Sequence, residues 1–471
     1  MSLRLLAAAL ACWASAALAD ALPPPVAQAL SRAGLPHSAV ALYVQEVDGR
    51  RPTASFNASR PMNPASTIKL VTAFAALELL GPGYTWKTEA YLLGRLRDDV
   101  LDGDLALKGY GDPKLTIENF WLFLRALRAR GLREIRGDLV LDRSHFEVAD
   151  HDPAKFDSEP LRPYNVGADA LLVNYKAVRF FFLPQPARQS VAVVPEPKLP
   201  QLEVRTSVRL ADGPCGDWRA GLRYDLQRSG AGVRASFSGT LPASCGERMW
   251  YLAPFPPDEY LHGVFKALWA ELGGALHGGV REGQVPAGGT PFATFESPPA
   301  ADLLRDMNKF SNNVMARQVF LTLSAETLKL PGRYDRSART VQSWLAARNL
   351  DVPELVIENG SGLSRSDRIS AEALGRVLVA AYRSPLMPEF IATLPLVAYD
   401  GTMKKRLKSD RVSGQAHIKT GSLTDVRSLA GYVLDRNGRR FAVVFLVNHP
   451  TAGASQSAQD ALLRWVHEAA H

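Results

Sequence analysis

The sequence predicts a multidomain α/β protein in which one domain is divided by a long insertion. Three observations carry this. A β-type run at 38–47 precedes an apolar, helix-forming stretch at 66–80. The last third offers helical runs (301–323 and 336–348), two strand-like runs and a closing helix at 456–469, so the two chain ends together can supply one mixed domain. Between them, residues 176–250 change character: VRFFF, SVAVV, LEVRTSVRL and VRASFSGTL are short β-type runs broken by Pro-rich pieces such as PEPKLP. At 471 residues the chain is long enough for several domains, each with its own core. A content of 46% hydrophobic and 22% charged residues excludes a disordered, collagen-like or coiled-coil protein.

Taken in order, residues 1–19 (MSLRLLAAALACWASAALA) place Arg4 before an apolar stretch that ends in Ala17-Leu18-Ala19. This is the layout of a secretory signal peptide with a small-residue cleavage site; a buried helix or a membrane anchor is the alternative. Cys12 raises a lipoprotein reading, against which Ala9 stands where a Leu is expected. Beyond this segment no apolar run is long enough to span a bilayer. The formal charge of +8 is spread without a dense Lys/Arg stripe, so nucleic acid is not an expected partner. A polyanionic wall or a peripheral membrane contact fits better, and the sequence leaves homodimer formation open. Of three cysteines, Cys215 and Cys245 would remain after export, and in an oxidising compartment they pair unless both are buried thiols.

Asp48-Gly49 marks a turn after the first strand toward a short run at 52–56. Leu70, Phe74 and Leu77 recur at helical spacing in the next stretch, which Gly81-Pro82-Gly83 stops, so this helix should be buried. Residues 86–150 read as short strands with one helix at 117–128 and a turn at Asp102-Gly103. A helix near 258–274 and Gly-rich turns to about 290 follow. In the tail, Asn437-Gly438 joins SLAGYVLD to FAVVFLVN as a hairpin.

Three polar clusters could do chemistry. Ser66-Thr67-Ile68-Lys69 sits at a helix start, where unpaired N–H groups favour developing negative charge, and Lys69 lies one turn on from Ser66. An apolar helix would bury that amine and lower its pKa toward that of a usable base; the alternative is a capping Ser and a solvated Lys. Ser311-Asn312-Asn313 interrupts a helical stretch with residues that compete for backbone hydrogen bonds, marking a local break. Lys419-Thr420-Gly421-Ser422 lies on an expected edge strand, with a cation, hydroxyls and a glycine that lets a ligand approach closely. Each pattern alone is common: S-x-N also occurs at Ser55-Phe56-Asn57.

Together and in this order, S-x-x-K, S-x-N and K-T-G resemble the signature set of penicillin-binding proteins and serine β-lactamases. Asn63-Pro64-Ala65, Gly109-Tyr110-Gly111-Asp112-Pro113, Asn359-Gly360-Ser361-Gly362-Leu363-Ser364 and Asp400-Gly401-Thr402 narrow the likeness. With them the chain resembles the D-alanyl-D-alanine carboxypeptidase/endopeptidase family, the low-molecular-mass class C penicillin-binding proteins. The likeness covers the chain after residue 19 and is least specific in 176–250.

The resemblance implies a β-lactamase/transpeptidase-like catalytic domain, an antiparallel sheet with helices, split by two inserted smaller domains, one β-rich. Its expected parts are 20–85 and 291–471, with a second domain in two pieces (86–175 and 251–290) and a third at 176–250. Ser66 would be the acylated nucleophile, Lys69 its base, Ser311 the proton relay and Asn313 a holder of Lys69 and the substrate amide. Lys419 and Thr420 would bind the leaving residue's carboxylate beside Gly421, and the N–H groups of Ser66 and Ser422 would form the oxyanion hole. Asp142, Phe146 and Arg365 match positions that can recognise the stem-peptide side chain; Thr424 stands where some relatives carry a longer amide. The implied partners are peptidoglycan peptides, with β-lactam antibiotics as covalent inhibitors, in the periplasm. No cofactor is expected, and the histidines form no H-E-x-x-H. Gly360-Ser361-Gly362 lacks nucleophile-elbow spacing and reads as a loop bordering the cleft. The rivals are a β-lactamase or esterase with the same acyl-serine chemistry and a non-catalytic wall-binding protein.

Overall fold

The computed structural model describes residues 21–149, 151–230 and 232–469. The expected signal peptide, with Cys12, lies outside them. The described chain forms two compact units, one from residues up to 85 and from 298 onward, the other from 86 to 297.

The first unit is built on a five-stranded antiparallel sheet. Its order is Ala416–Leu423, Val426–Leu434, Arg440–Asn448, Val40–Glu46 and Ala54–Phe56, so the two chain ends share one sheet. Val40 to Val44 are buried without alternation, the pattern of a strand covered on both faces. A core of Val26, Leu30, Leu42, Val443, Leu462 and Val466 joins the sheet to the Pro24–Arg32 and Gln456–Ala469 helices. The Lys69–Leu79 helix is buried from residue 69 to 77, and Leu70, Phe74 and Leu77 are all fully enclosed. As the polar trio predicts, the long helical stretch breaks: Ala300–Lys309 ends, Ser311 takes a left-handed φ of 55°, and Asn312 caps Asn313–Leu328 by accepting from Met315 N at 3.1 Å. Sequence periodicity did not single out the Ala371–Arg383 helix, which Ser370 caps through Ala373 N at 3.1 Å.

The second unit holds two sheets. Strands Lys87–Arg97 and Val100–Gly109 form the spine of a seven-stranded sheet, accompanied by the Ile117–Ala129 and Pro257–Glu271 helices. The expected turn at Asp102-Gly103 is corrected: both residues lie inside the second strand, and the chain reverses at Asp98-Asp99, where Asp98 has φ 55°. Asp-Gly favours tight turns, but here the longer alternating run through 109 sets the register. The β-rich stretch forms a six-stranded sheet whose core includes Phe180, Phe182, Phe237 and Trp250. Cys215 and Cys245 are joined by a disulfide.

Candidate active site

The lead-in to Ser66 is clamped to the sheet. Asn63 N donates to Asn448 Oδ1 at 2.8 Å, Asn448 Nδ2 returns a bond to Asn63 O at 3.0 Å, and Ser428 Oγ donates to Pro64 O at 2.6 Å. Ala65 then sits at φ 45°, a costly backbone state for a residue with a Cβ, held by a bond from its N–H to Asn63 Oδ1 at 2.9 Å. Residues Ala65–Ile68 form a 3-10 turn that runs into the Lys69–Leu79 helix. In a 3-10 turn side chains at i and i+3 eclipse, which is why two intervening residues bring Lys69 to Ser66.

Lys69 Nζ is 3.0 Å from Ser66 Oγ and 2.7 Å from Asn313 Oδ1, and it also bonds the Ser361 carbonyl. Two of these three partners can only accept. A neutral amine has two N–H donors and one lone pair; the carbonyls of Asn313 and Ser361 take the donors, leaving the lone pair for the Ser66 hydroxyl. Lys69 is fully enclosed, and among the described residues no carboxylate forms an ion pair with it. Burial first, then the charges of Lys419 and Arg317, push its pKa well below the usual lysine value.

Lys419 is equally enclosed and donates to Ser311 Oγ at 2.8 Å and to Thr420 O at 2.7 Å. Burial lowers its pKa to about 7. The structure therefore brings Ser66, Lys69 and Asn313 into one hydrogen-bonded cluster and Ser311 and Lys419 into a second pair. Gly421 explains how the strand comes so near: a Cβ there would lie 2.3 Å from Ser428 Oγ and 2.8 Å from Ser66 N. Gly362 does the same for the 359–364 loop, since its Cβ would meet Ala65 O at 2.0 Å.

Three contributors to the site escaped sequence reasoning. The Ser361 carbonyl fixes Lys69, although its loop reads only as a cleft border. The Thr402 hydroxyl bonds Thr420 Oγ1 at 2.9 Å. Behind it, buried Lys309 contacts Asp400, whose other oxygen accepts from Leu396 N at 2.8 Å. The signals were the Asn359–Ser364 and Asp400-Gly401-Thr402 segments, which carry the family likeness but name no partner.

Ser422 is exposed on the edge strand, paired in register with Arg427. Arg365 Nη1 donates to Asp425 Oδ1 at 2.7 Å, in the turn that carries Thr424. Asp142 and Phe146 belong to the second unit. The Asp142 carboxylate is buried, accepting from Ser144 N, Ser144 Oγ and Val285 N, with Lys108 Nζ at 3.6 Å. Its pKa is lowered by these hydrogen bonds against an opposing burial effect. Phe146 is buried, and a Cβ on Gly111 would strike its ring. Among the described residues no group of His, Cys, Asp and Glu could hold a metal ion, and no helix is long and apolar enough to cross a membrane.

Residues 24–469 match the family described as D-Ala-D-Ala carboxypeptidase 3 (S13). D-alanyl-D-alanine carboxypeptidase DacB of Haemophilus influenzae is 26% identical over 425 residues, 89% of this chain and 87% of that protein. The D-alanyl-D-alanine carboxypeptidase of Actinomadura sp. (strain R39) is 29% identical over 415 residues, covering 85% and 76%. The crystal structure of penicillin-binding protein 4 (dacB) from H. influenzae superposes with a TM-score of 0.77 at 25% identity, covering 93% of this chain and 99% of that one. A further structure of that protein is a complex with a β-lactam.

Proposed function

The chain belongs to the D-Ala-D-Ala carboxypeptidase (S13) family, and on that premise we propose that it is an exported serine D,D-peptidase that hydrolyses peptidoglycan stem peptides through an acyl-Ser66 intermediate. The observation that carries the proposal is the 3.0 Å contact between Ser66 Oγ and an enclosed amine whose two donors are already engaged. The Ser66 hydroxyl gives its proton to Lys69 as the oxygen attacks the D-alanyl carbonyl. The N–H groups of Ser66 and Ser422 hold the resulting oxyanion; removing one such donor from a site of this kind costs about 10²–10³ in rate. As the C–N bond breaks, the proton held by Lys69 passes through the Ser311 hydroxyl to the leaving amine, which returns Lys69 to its neutral form. Water then attacks the ester while Lys69 takes its proton and delivers it to Ser66 Oγ, which leaves as the regenerated hydroxyl. Lys419, with the Thr420 hydroxyl, receives the free carboxylate of the departing D-residue.

Trimming a terminal D-Ala and cutting a D-Ala–diaminopimelate cross-link both release a D-centre with a free α-carboxylate, so one cationic clamp serves carboxypeptidase and endopeptidase reactions alike. A β-lactam presents the same carboxylate and a strained amide, which makes it a covalent inhibitor of Ser66. By the family likeness, Asp142 and Phe146 of the second unit and Arg365, whose Nη1 donates to Asp425 in the turn that bears Thr424, are each assigned to recognition of the stem-peptide side chain. The second unit would comprise a β-rich domain at 176–250 set within a domain made of 86–175 and 251–290. Mass spectrometry of purified stem peptides and cross-linked dimers, incubated with wild type and Ser66→Ala, tests the proposal. Loss of terminal D-Ala or scission of the cross-link by wild type alone is expected; equal cleavage by Ser66→Ala would refute it. A penicilloyl adduct that lasts many minutes distinguishes the peptidase from a β-lactamase, which releases it rapidly.

A further inference from the structure

Beside the Thr420-Gly421-Ser422 strand lies a cavity of about 310 Å³, walled by Thr402, Arg406, Arg427, Gly453, Gln456 and Gln459 as well as the strand itself. Its chemistry is one-sided. Arg406 is neutralised by Asp460, which it grips through Nε at 3.1 Å and through Nη2, and its Nη1 donates to Gln459 Oε1 at 3.3 Å. That last bond fixes the orientation of the Gln459 amide. Gln459 is only 3% exposed, and its Nε2, the remaining donor, has no partner. Arg427 uses Nη1 on the carbonyls of Leu423 and Val426, which props the turn after the strand. Among the described residues no carboxylate pairs with Arg427, so its charge stands uncompensated at the cavity wall. Ser422 adds an exposed hydroxyl, and Thr402 and Thr420 bond each other at 2.9 Å. A buried donor without an acceptor, beside an unpaired cation and several hydroxyls, is a site that lacks its acceptor.

We propose that this cavity binds the side chain of the departing D-residue when that side chain ends in acceptor oxygens, carboxylate above all. The inference rests on the reading of Thr420 as part of the carboxylate clamp, which places the leaving residue next to this wall. It separates the two reactions by their leaving groups. A terminal D-Ala offers the cavity only a methyl group. The residue freed from a cross-link offers a long side chain ending in carbonyl or carboxylate oxygens. The cavity therefore favours cross-link scission through the product's side chain, while the α-carboxylate clamp treats both alike.

The test uses the full chain and a series of N-acyl-D-Ala-D-X dipeptides with one acyl group, X being D-Ala, D-norvaline, D-Gln or D-Glu. The readout is the ratio of kcat/KM between X residues. For wild type, D-Glu is expected to exceed D-norvaline by roughly tenfold or more, with D-Gln between them, because a site built to hydrogen-bond rejects an analogue lacking the acceptor. Gln459→Glu keeps the acceptor for Arg406 and removes the orphan donor, so the D-Glu to D-norvaline ratio should fall below one. Arg427→Met should lower that ratio several-fold and bring D-Glu level with D-Gln. Acylation of Ser66 by a labelled penicillin gauges the amount of folded enzyme in each variant. Equal wild-type rates for D-norvaline and D-Glu, or an unchanged ratio in both variants, overturns the cavity's role while leaving the peptidase reading intact. Absence of any hydrolysis by well-folded wild type overturns both.

Discussion

Replacing Asn313 by Asp isolates the proton bookkeeping at Lys69 with little change of shape. The Asn313 carbonyl oxygen lies 2.7 Å from Lys69 Nζ and takes one of its two amine hydrogens. A carboxylate in the same place still accepts that hydrogen but adds a full negative charge, in direct contact, to an amine on which the fields of Lys419 and Arg317 now outrank the opposing field of Asp367. An opposite charge this close raises a lysine pKa by about 1–3 units, or about 1.4–4 kcal/mol in favour of the ammonium. The ammonium has no lone pair for the Ser66 proton. The acid limb of the rate profile should therefore move up by about 1–3 pH units, and on that limb the rate at any fixed pH should fall about 10- to 1000-fold. The assay is the second-order rate of Ser66 acylation by a fluorescent penicillin, measured from pH 5 to 10 for wild type and Asn313→Asp. Recovery of the variant toward the wild-type rate at high pH is the expected result. A loss of the same factor at every pH would show that Asn313 acts by shape alone, and the neutral-amine argument would fail.

Other outcomes follow from the same geometry. Lys419, lowered to about 7 by burial, loses its charge above that pH; kcat/KM for peptides with a free C-terminal carboxylate should decline above about pH 7 through a rise in KM, and a KM flat to pH 9 would contradict the clamp. Gly421→Ala forces a methyl against Ser428 Oγ and Ser66 N, so the edge strand must retreat from Ser66 and kcat/KM should drop by about 10² or more; wild-type rates in a normally folded variant would refute the close-approach argument. Asp400→Asn breaks the pair with buried Lys309 behind Thr402; carboxylate-bearing peptides should lose affinity, read as raised KM, while an unchanged KM would reduce the pair to packing. Reducing the Cys215–Cys245 disulfide, which closes a separation of 30 residues, should destabilise the second unit by about 3–4 kcal/mol on the loop-entropy account, measured by urea unfolding with and without reductant.

Much of this was legible because the chemistry-bearing residues announce themselves by type and spacing. Ser66 and Lys69 sit three apart, the Ser311-Asn312-Asn313 trio breaks a helix, and Asn437-Gly438 turns a hairpin between strands ending at Leu434 and starting at Arg440. What pattern could not give were partners fixed by backbone rather than side chain. The Ser361 carbonyl that steadies Lys69 carries no residue signature, since every residue has one. The left-handed φ of Ala65 is equally silent, because alanine is a residue from which such a conformation is not expected. Asp102-Gly103 misled for the opposite reason: a strong local turn signal was outweighed by the register of two long strands. Burial of Lys69 was readable from its apolar helix, but the fields of Lys419 and Arg317 on it required residues hundreds of positions away to be brought together.

The most direct measurement is the site of covalent acylation. After brief exposure to a labelled penicillin, digestion and peptide sequencing by mass spectrometry should find the label on Ser66, and the Ser66→Ala protein should carry none. Label on Ser311 or Ser361 instead, or an equal yield of adduct from Ser66→Ala, would contradict the assignment of the nucleophile and of the amine that activates it.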